Sequence, residues 1–449
     1  MDALYYGYLL LGAIGLIQSA LMLVHAWEHR RFYRQRQTKR VSFAADLSVT
    51  LIAPCKGLDT GLYSNLLALF WQRYPRYQIC FVVESENDSA VPVIRELARE
   101  DPQIPCRIVV AGTARDCGQK VHNLMCATRC VLENRLPIGD PPRPPLAKGG
   151  TAATAEGNVW ARPDVLAFVD ADACPHVDWL GWLVDRLASG KHTVATGYRW
   201  YVPKTRAFTN RLLSAINNTI VALTGPHGFN LVWGGAWAIR TDRFEKLGLP
   251  AAWDGSLSDD LVVSRLVRAA RLRVVFEPHC LVKSSADCDW RTFCEFLRRQ
   301  FLVAKVYAPG WWHFALWTGL ATNVFLWGSL AAACIFGAMG GPWAVPLAGG
   351  VLYYTAGIWQ HRLATRAVRP FVAVADEDYD PVARLNTWGW PLVSLMTWLA
   401  VLSAALGRTI VWRGIGYRMN SPSSTTVRRR SADLDMENSD HARATTRAA

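Results

Sequence analysis

The sequence predicts an α/β domain built on a mainly parallel sheet and flanked by membrane-spanning helices. Three observations carry that prediction. From Ser48 onward, short apolar runs alternate with amphipathic ones, the rhythm of βαβ units. Val165 to Cys174, VLAFVDADAC, is rich in Val, Leu and Phe and stops at two carboxylates, Asp170 and Asp172, as a buried parallel strand would. Long apolar stretches precede and follow this region.

A chain of 449 residues is long enough for one sizeable domain with additional elements. Hydrophobic residues make up 51% and there are 20 Trp, a heavy load for a soluble enzyme and a sign of membrane contact. The net charge of +13 is first a topology signal, then an attraction for anionic lipid or an anionic nucleotide. The basic residues cluster beside the apolar segments, so no nucleic-acid partner is expected. Eleven Cys without a Cys-x-x-Cys pair signal neither a disulfide framework nor a zinc site, and fit reduced thiols facing a cytoplasm.

Tyr5 to Trp27 is apolar and long enough for a bilayer, at about 1.5 Å per residue. The basic run Arg30, Arg31, Arg34, Arg36, Lys39, Arg40 follows it, which argues for a retained anchor over residues 1–28 with the chain beyond in the cytoplasm. A catalytic domain is expected over 41–307. Within it, Ser48 to Gly57, YQICFVVES and CRIVVAG read as strands, and Tyr63–Tyr74, Val91–Arg99 and Gly118–Glu133 as helices. The stretch 137–163 is rich in Pro, Gly, Ala and Thr and reads as a disordered insertion. The acid-ended strand follows, then helix Val177–Leu187, strand HTVATGYRWYV and helix Phe208–Leu223. Residues 308–412 form a C-terminal membrane region with two or three apolar segments, Phe314–Met339, Trp343–Trp359 and Trp388–Leu406. The basic groups between them cannot all be cytoplasmic if each crosses once, so the last is expected to be re-entrant or interfacial. Residues 420–449 read as a disordered tail. Together these describe a multi-pass protein of the inner or plasma membrane.

Chemistry concentrates at the ends of the strands, where open α/β sheets bind ligands. Residues two apart in extended chain point the same way, so Asp170 and Asp172 can converge on one ligand. Such a pair repels itself unless a cation intervenes, which suggests Mg²⁺ or Mn²⁺ holding a diphosphate. Four other stretches sit where a sugar-nucleotide site needs them. Pro54-Cys55-Lys56-Gly57 could meet a nucleotide, or be a plain turn. Glu84, Glu86, Asn87 and Asp88 could accept from a base or ribose, or be a solvated loop. Gly118 to Asn123 opens a helix, where backbone N–H groups and Lys120 favour an anion and Asn123 could join them. GFNLVWGGAWAIR offers a Gly234-Gly235 turn for close backbone approach. It leads to Asp259 and Asp260, one of them a general base for an acceptor hydroxyl, although acids after a Ser258 N-cap are also ordinary helix chemistry. Arg298 and Arg299 could grip the diphosphate or anchor the chain at a lipid surface.

The order of PCKG, FVVESENDSA, GQKVHNL, DADAC, GFNLVWGGAWAIR, SDDL and the helix that follows resembles the family 2 (GT-A) membrane glycosyltransferases, most closely the ceramide glucosyltransferase-like branch with its hopanoid-associated relatives. The resemblance runs from about Tyr5 to Tyr307, with WRGIGYR near the end also similar. It implies a GT-A fold, a metal motif at Asp170 and Asp172, a nucleotide-site lysine at Lys120 and a general base at Asp260 rather than Asp259. Two departures stand out. Ser85, between Glu84 and Glu86, occupies a position usually Asp. The family's Gln/Arg-x-x-Arg-Trp signature falls on Phe296 to Gln300, where only Arg299 matches. Loss of its Trp argues against polymerisation.

The expected function is therefore transfer of a sugar, glucose or an N-acetylated hexosamine, from a UDP-sugar to a ceramide-like or hopanoid-like lipid hydroxyl. Catalytic Asp260, a donor site of Lys56, Glu84, Glu86, Lys120, Asn123, Asp170, Gly235 and Arg299, and a Mg²⁺ or Mn²⁺ ion on Asp170 and Asp172 would carry it. The alternatives are a polysaccharide synthase of the same superfamily and a non-catalytic nucleotide-binding membrane subunit.

Overall fold

The computed structural model describes residues 2–40, 47–133, 162–190 and 192–430. In chain order, helix α1 (Asp2–Gln37) leads into β1 (Val49–Pro54), α2 (Leu62–Phe70), β2 (Tyr77–Val83), α3 (Ala90–Glu100), β3 (Cys106–Val110) and α4 (Gln119–Leu132). After the undescribed stretch come β4 (Val165–Val169), α5 (Trp179–Ala188), β5 (Val194–Pro203), α6 (Phe208–Val221), β6 (Ala236–Arg240), α7 (Thr241–Lys246), α8 (Leu249–Trp253), α9 (Asp259–Ala269) and β7 (Val274–Ala286). Four long or medium helices follow, α10 (Trp290–Tyr307), α11 (Pro309–Ala338), α12 (Ala344–Val368) and α13 (Asp376–Trp388), and then α14 (Trp390–Ser403). The described chain closes with β8 (Thr409–Trp412), β9 (Ile415–Ser421) and β10 (Ser424–Arg430).

Seven strands form one sheet in the order β3-β2-β1-β4-β6-β5-β7. Only β6 runs against its neighbours; the remaining pairs are parallel. Period-2 alternation sends Leu51 into one apolar layer with α2, α3 and α5, and Ile52 into the other with α4, α8 and α9. Every residue of β4 is buried, which is why its sequence is continuously apolar rather than alternating. Phe168 of β4 stacks on Trp237 of β6 with ring centroids 4.1 Å apart, locking the antiparallel strand beside the acid-bearing one.

The helices that the sequence marks as apolar pack on one another, α1 and α11 on α12 and α11 on α14, and α14 meets the sheet domain at α6. Two described helices are long and apolar enough to cross a membrane, Tyr5–Gln37 and Pro309–Ala338. Helix α12, richer in Gly and polar groups, does not reach that standard. Helix α14 has 14 residues, about 21 Å at 1.5 Å per residue, short of a hydrocarbon core of ~30 Å. The far end of α1 is not free in solvent. Arg36, one of the basic run that follows the apolar stretch, enters the domain and pairs at 2.6 Å with Glu277 of β7, a carboxylate with no solvent exposure.

Two boundaries differ from expectation. The tail expected from Asn420 begins instead with most of a β-hairpin, β9 with β10, joined to β8 in a second sheet. Alternation explains it: Tyr417 and Met419 are buried in the core layer under α4 and α9 while Arg418 and Asn420 face out. Residues 431–449 and most of the expected 137–163 insertion lie outside the described residues. All eleven cysteines are free thiols.

Candidate active site

The turn after β4 is held from three sides. Asn65 of α2 donates to the Ala171 carbonyl at 3.0 Å, Ser284 of β7 donates to the Asp172 carbonyl at 2.9 Å, and the Ala173 N–H closes on the Asp170 carbonyl at 3.0 Å. These contacts fix where both carboxylates point. Lys120, in the first turn of α4, reaches across with Nζ 2.7 Å from Asp170 Oδ1 and 3.2 Å from Asp259 Oδ1. Residues 50 and more apart in sequence, and from separate elements, therefore meet in one charged knot.

Asp259 and Asp260 open α9 and differ sharply in their surroundings. Asp260 accepts from the Gly234 N–H at 2.8 Å through Oδ2, and from Ser258 Oγ at 2.6 Å and the Leu261 N–H at 2.7 Å through Oδ1. It is thereby held rigidly. Asp259 is 3% exposed, and its Oδ2 is sealed with no hydrogen-bond partner among the described residues. Burial raises the Asp259 pKa most, Lys120 pulls it back, and Asp260 and Asp170 push it up again, to about 7. Burial also opposes the charge on Lys120, but Asp170, Asp259 and Asp260 outweigh it and raise its pKa above the ordinary lysine value. Asp170 is likewise buried, yet Lys120 and Arg199 hold its carboxyl below the usual range. For Asp172 burial wins over Arg199, and its pKa rises.

Two arginines not singled out as site residues by sequence reasoning complete the cluster. Arg199, in the middle of β5, lies 3.6 Å from Asp172 Oδ2 and 3.9 Å from Asp170 Oδ2. It donates to the Tyr201 hydroxyl at 2.5 Å and rests 4.8 Å over the Trp233 ring. The available signal was a cation inside an otherwise apolar strand, which needs an acid partner. Arg413, in the β8–β9 turn, adopts φ 48 and donates to the Lys56 carbonyl at 2.8 Å and to Asp59 at 2.6 Å. It sits in the WRGIGYR stretch that carried resemblance but no assigned role. Arg299 packs 5.2 Å from Phe296 and 6.0 Å from Trp412; burial lowers its pKa, as do Arg199 and Arg413. Lys120, Arg199, Arg299 and Arg413 thus face Asp170, Asp172, Asp259 and Asp260.

The donor set suits a hard divalent cation. Among the described residues Asp172 Oδ1 is sealed and has no partner, and Asp170 Oδ2 has only the long contact to Arg199. Among the described residues no group of three or more His, Cys, Asp or Glu is arranged around a metal. A cation here would draw its other ligands from water and phosphate, the habit of Mg²⁺.

Not every predicted residue joins this cluster. Lys56 and Glu84 pair with each other at 2.9 Å at the ends of β1 and β2, and Glu86 is exposed on the same loop. Asn123 is buried and accepts from Gln119 Nε2 at 2.8 Å; Gln119 in turn holds the Gly112 carbonyl and the Ala114 N–H. It braces the loop through Gln119, four residues earlier on the same helix face. Gly235 is not the glycine beside the charges. A Cβ on Gly235 would strike the Trp233 ring at 2.2 Å, whereas one on Gly234 would lie 2.7 Å from Lys120 Nζ and 2.8 Å from Asp259 Oδ2. Arg298 turns away and caps the Leu406 carbonyl at 3.0 Å.

From the charged knot a cavity of about 310 Å³ extends along Ile216 and Ile220 of α6 and Phe301 and Ala304 of α10 to Trp311 at the start of α11. One end is ionic, the other apolar.

A mainly parallel sheet with one antiparallel strand and an acid pair at the end of its central strand defines the GT-A class. Residues 8–140 match Glycosyl transferase family 21 and residues 145–248 match Glycosyl transferase family 2, so the chain carries glycosyltransferase domains. It is similar to ceramide glucosyltransferase 1 of Caenorhabditis elegans, 36% identical over 92 residues, which is 20% of each chain. It is also similar to the ceramide glucosyltransferase of Komagataella phaffii, 32% identical over 107 residues, covering 23% of this chain and 21% of that one. The match spans about a fifth of the length of these relatives. A mannosyltransferase from Pyrobaculum calidifontis, solved in complex with GDP-Man and Mn²⁺, aligns over 88% of this chain and 97% of its own at 14% identity and a TM-score of 0.42.

Proposed function

We propose that this protein is an inverting glycosyltransferase that moves a sugar from a UDP-sugar to the hydroxyl of a membrane lipid, ceramide-like or hopanoid-like. The two-ended cavity carries the reading. Its ionic end suits a diphosphate and a reacting hydroxyl, and its apolar end suits a hydrocarbon chain arriving along α10 and α11. The catalytic domain would lie on the cytoplasmic side, with α1 and α11 crossing the bilayer.

In the proposed reaction the lipid oxygen bonds to the anomeric carbon as the bond to the diphosphate breaks, and the hydroxyl proton passes to Asp260. The three hydrogen bonds on Asp260 hold it at the cavity wall, so no reorganisation is needed when the acceptor arrives. Lys120, Arg199, Arg299 and Arg413 would bind and orient the diphosphate, for which planar guanidinium groups are suited. Mg²⁺ or Mn²⁺ held by Asp170 and Asp172 would supply Lewis-acid stabilisation of the departing diphosphate. Trp233 stacks under Arg199 and would hold its guanidinium in place at this end.

The test is Asp260→Asn in purified, detergent-solubilised protein given UDP-glucose or UDP-N-acetylglucosamine and a lipid extract. Transfer should fall by about 10²–10⁴-fold while UDP-sugar binding by calorimetry persists. Undiminished transfer would sink the assignment. One observation favours a second reading: the unpartnered Oδ2 of Asp259. If Asp259→Asn alone removes transfer, the base is Asp259.

A further inference from the structure

A second charged cavity, of about 470 Å³, opens between α12 and α13, remote in sequence from the catalytic motifs. Arg362 and Arg366 stand one turn apart on α12, Arg369 follows that helix, and Arg384 projects from α13. Arg369 is occupied: it pairs with Asp376, donates to the Val372 carbonyl at 3.0 Å and lies 4.7 Å over the Tyr379 ring. Arg362, Arg366 and Arg384 are exposed, and their guanidinium groups make no ion pair or hydrogen bond among the described residues. Asp380 is the carboxylate on the same wall. Three uncompensated guanidinium groups against one acid leave a cationic pocket.

Its position says what anion it would meet. The Tyr8 hydroxyl of α1 donates to the Pro346 carbonyl at the start of α12. At the other end Tyr33 of α1 packs edge-on against Phe371, ring centroids 5.2 Å apart, just past α12. The two helices therefore run parallel, with the sheet domain at the Tyr33 end. Arg362 and Arg366 lie about 24 and 30 Å along the helix from Pro346 at 1.5 Å per residue, close to one hydrocarbon thickness. Trp359 and Trp388 are 60% and 56% exposed beside them. Exposed Trp with Arg at one level of a helical layer is the pattern of a membrane–water boundary.

We propose that this cavity binds the phosphate headgroup of an anionic phospholipid in the leaflet facing the catalytic domain. Arg362, Arg366 and Arg384 would share the phosphate through paired N–H donors, and Trp388 would lie against the glycerol and upper acyl region. The proposal rests on the membrane reading given above, and its test separates the two.

Alkaline carbonate extraction of native membranes checks that reading first; release of the full chain into the supernatant would overturn both. With the chain retained, detergent-purified protein is examined by native mass spectrometry with phosphatidylglycerol, phosphatidylcholine or glycerol phosphate. Phosphatidylglycerol should bind in preference to phosphatidylcholine, and the triple variant Arg362→Gln, Arg366→Gln, Arg384→Gln should bind it at least about tenfold more weakly. Arg384→Gln alone, on an exposed position, should show an intermediate loss with an unchanged thermal melt, which guards against misfolding of the triple variant. Equal retention of both lipids, an unaffected triple variant, or glycerol phosphate binding as tightly as the lipid would each overturn the proposal.

Discussion

The two ends of the candidate-site cavity are built on opposite principles. At the ionic end, four carboxylates and four cations come from β4, β5, α4, α9, α10 and the β8–β9 turn, and each depends on partners tens or hundreds of residues away. At the apolar end, Ile216, Ile220, Phe301 and Ala304 come from two helices and line a wall by size and greasiness alone. Charges held out of water are worth most when paired and cost most when orphaned, whereas an apolar wall tolerates exchange of one hydrocarbon for another. The ionic end should therefore fail abruptly on substitution, and the apolar end gradually.

The sharpest test is Lys120→Met. Asp170 and Asp259 would lose their nearest cation, so the protein should be destabilised by about 3–5 kcal/mol and lose UDP-sugar binding. A melt unchanged in detergent would contradict the pairing. Next comes pH. The Asp259 pKa stands at about 7 against an ordinary 3.8, so the folded chain binds a proton that the unfolded chain does not between those values. Its contribution is fully present below pH ~4 and is lost as pH rises through 7. Asp259→Asn should flatten that slope, with its melting temperature gaining on the wild type by on the order of a few degrees between pH 5 and 8; a difference independent of pH would refute it. At the apolar end, Ile220→Asn should raise the KM for lipid about tenfold, by placing an unsatisfied amide against hydrocarbon, and leave the KM for UDP-sugar alone. An equal change in both would erase the contrast between the ends. Smallest of all, Asn123→Ala should cost about 1 kcal/mol as Gln119 loses an acceptor, with UDP binding by calorimetry unaltered.

The same contrast explains what could be read from the chain. The α/β alternation and the acid-ended strand were legible because period and burial are local properties of Val165 to Val169. Lys120 was legible because a cation at a helix start has a ready use. The roles of Arg199 and Arg413 were not, since their meaning comes from partners brought near only by the sheet and the C-terminal hairpin. Nor can a Gly-Gly pair reveal which member faces the charges; that is decided by the Trp233 ring folding back over Gly235. Asn123 lies one turn beyond Gln119 and bonds to it inside the protein, a pairing that the helix start alone does not reveal. The hairpin past Asn420 was missed because its run of Ser, Thr and Arg reads as solvated chain, while its apolar anchors, Tyr417 and Met419, lie just before it.

Glu277 ends the account with a practical consequence. It is sealed inside β7, where Arg36 supplies its closest guanidinium at 2.6 Å and Arg186 a more distant one at 3.6 Å. Trimming the first helix to obtain a water-soluble fragment would remove that nearest guanidinium and leave the buried anion to Arg186 and to His279 Nδ1 at 2.7 Å. Whoever wishes to crystallise the seven-stranded domain alone should keep the chain from before Arg36, or replace Glu277 with a neutral side chain in the same step.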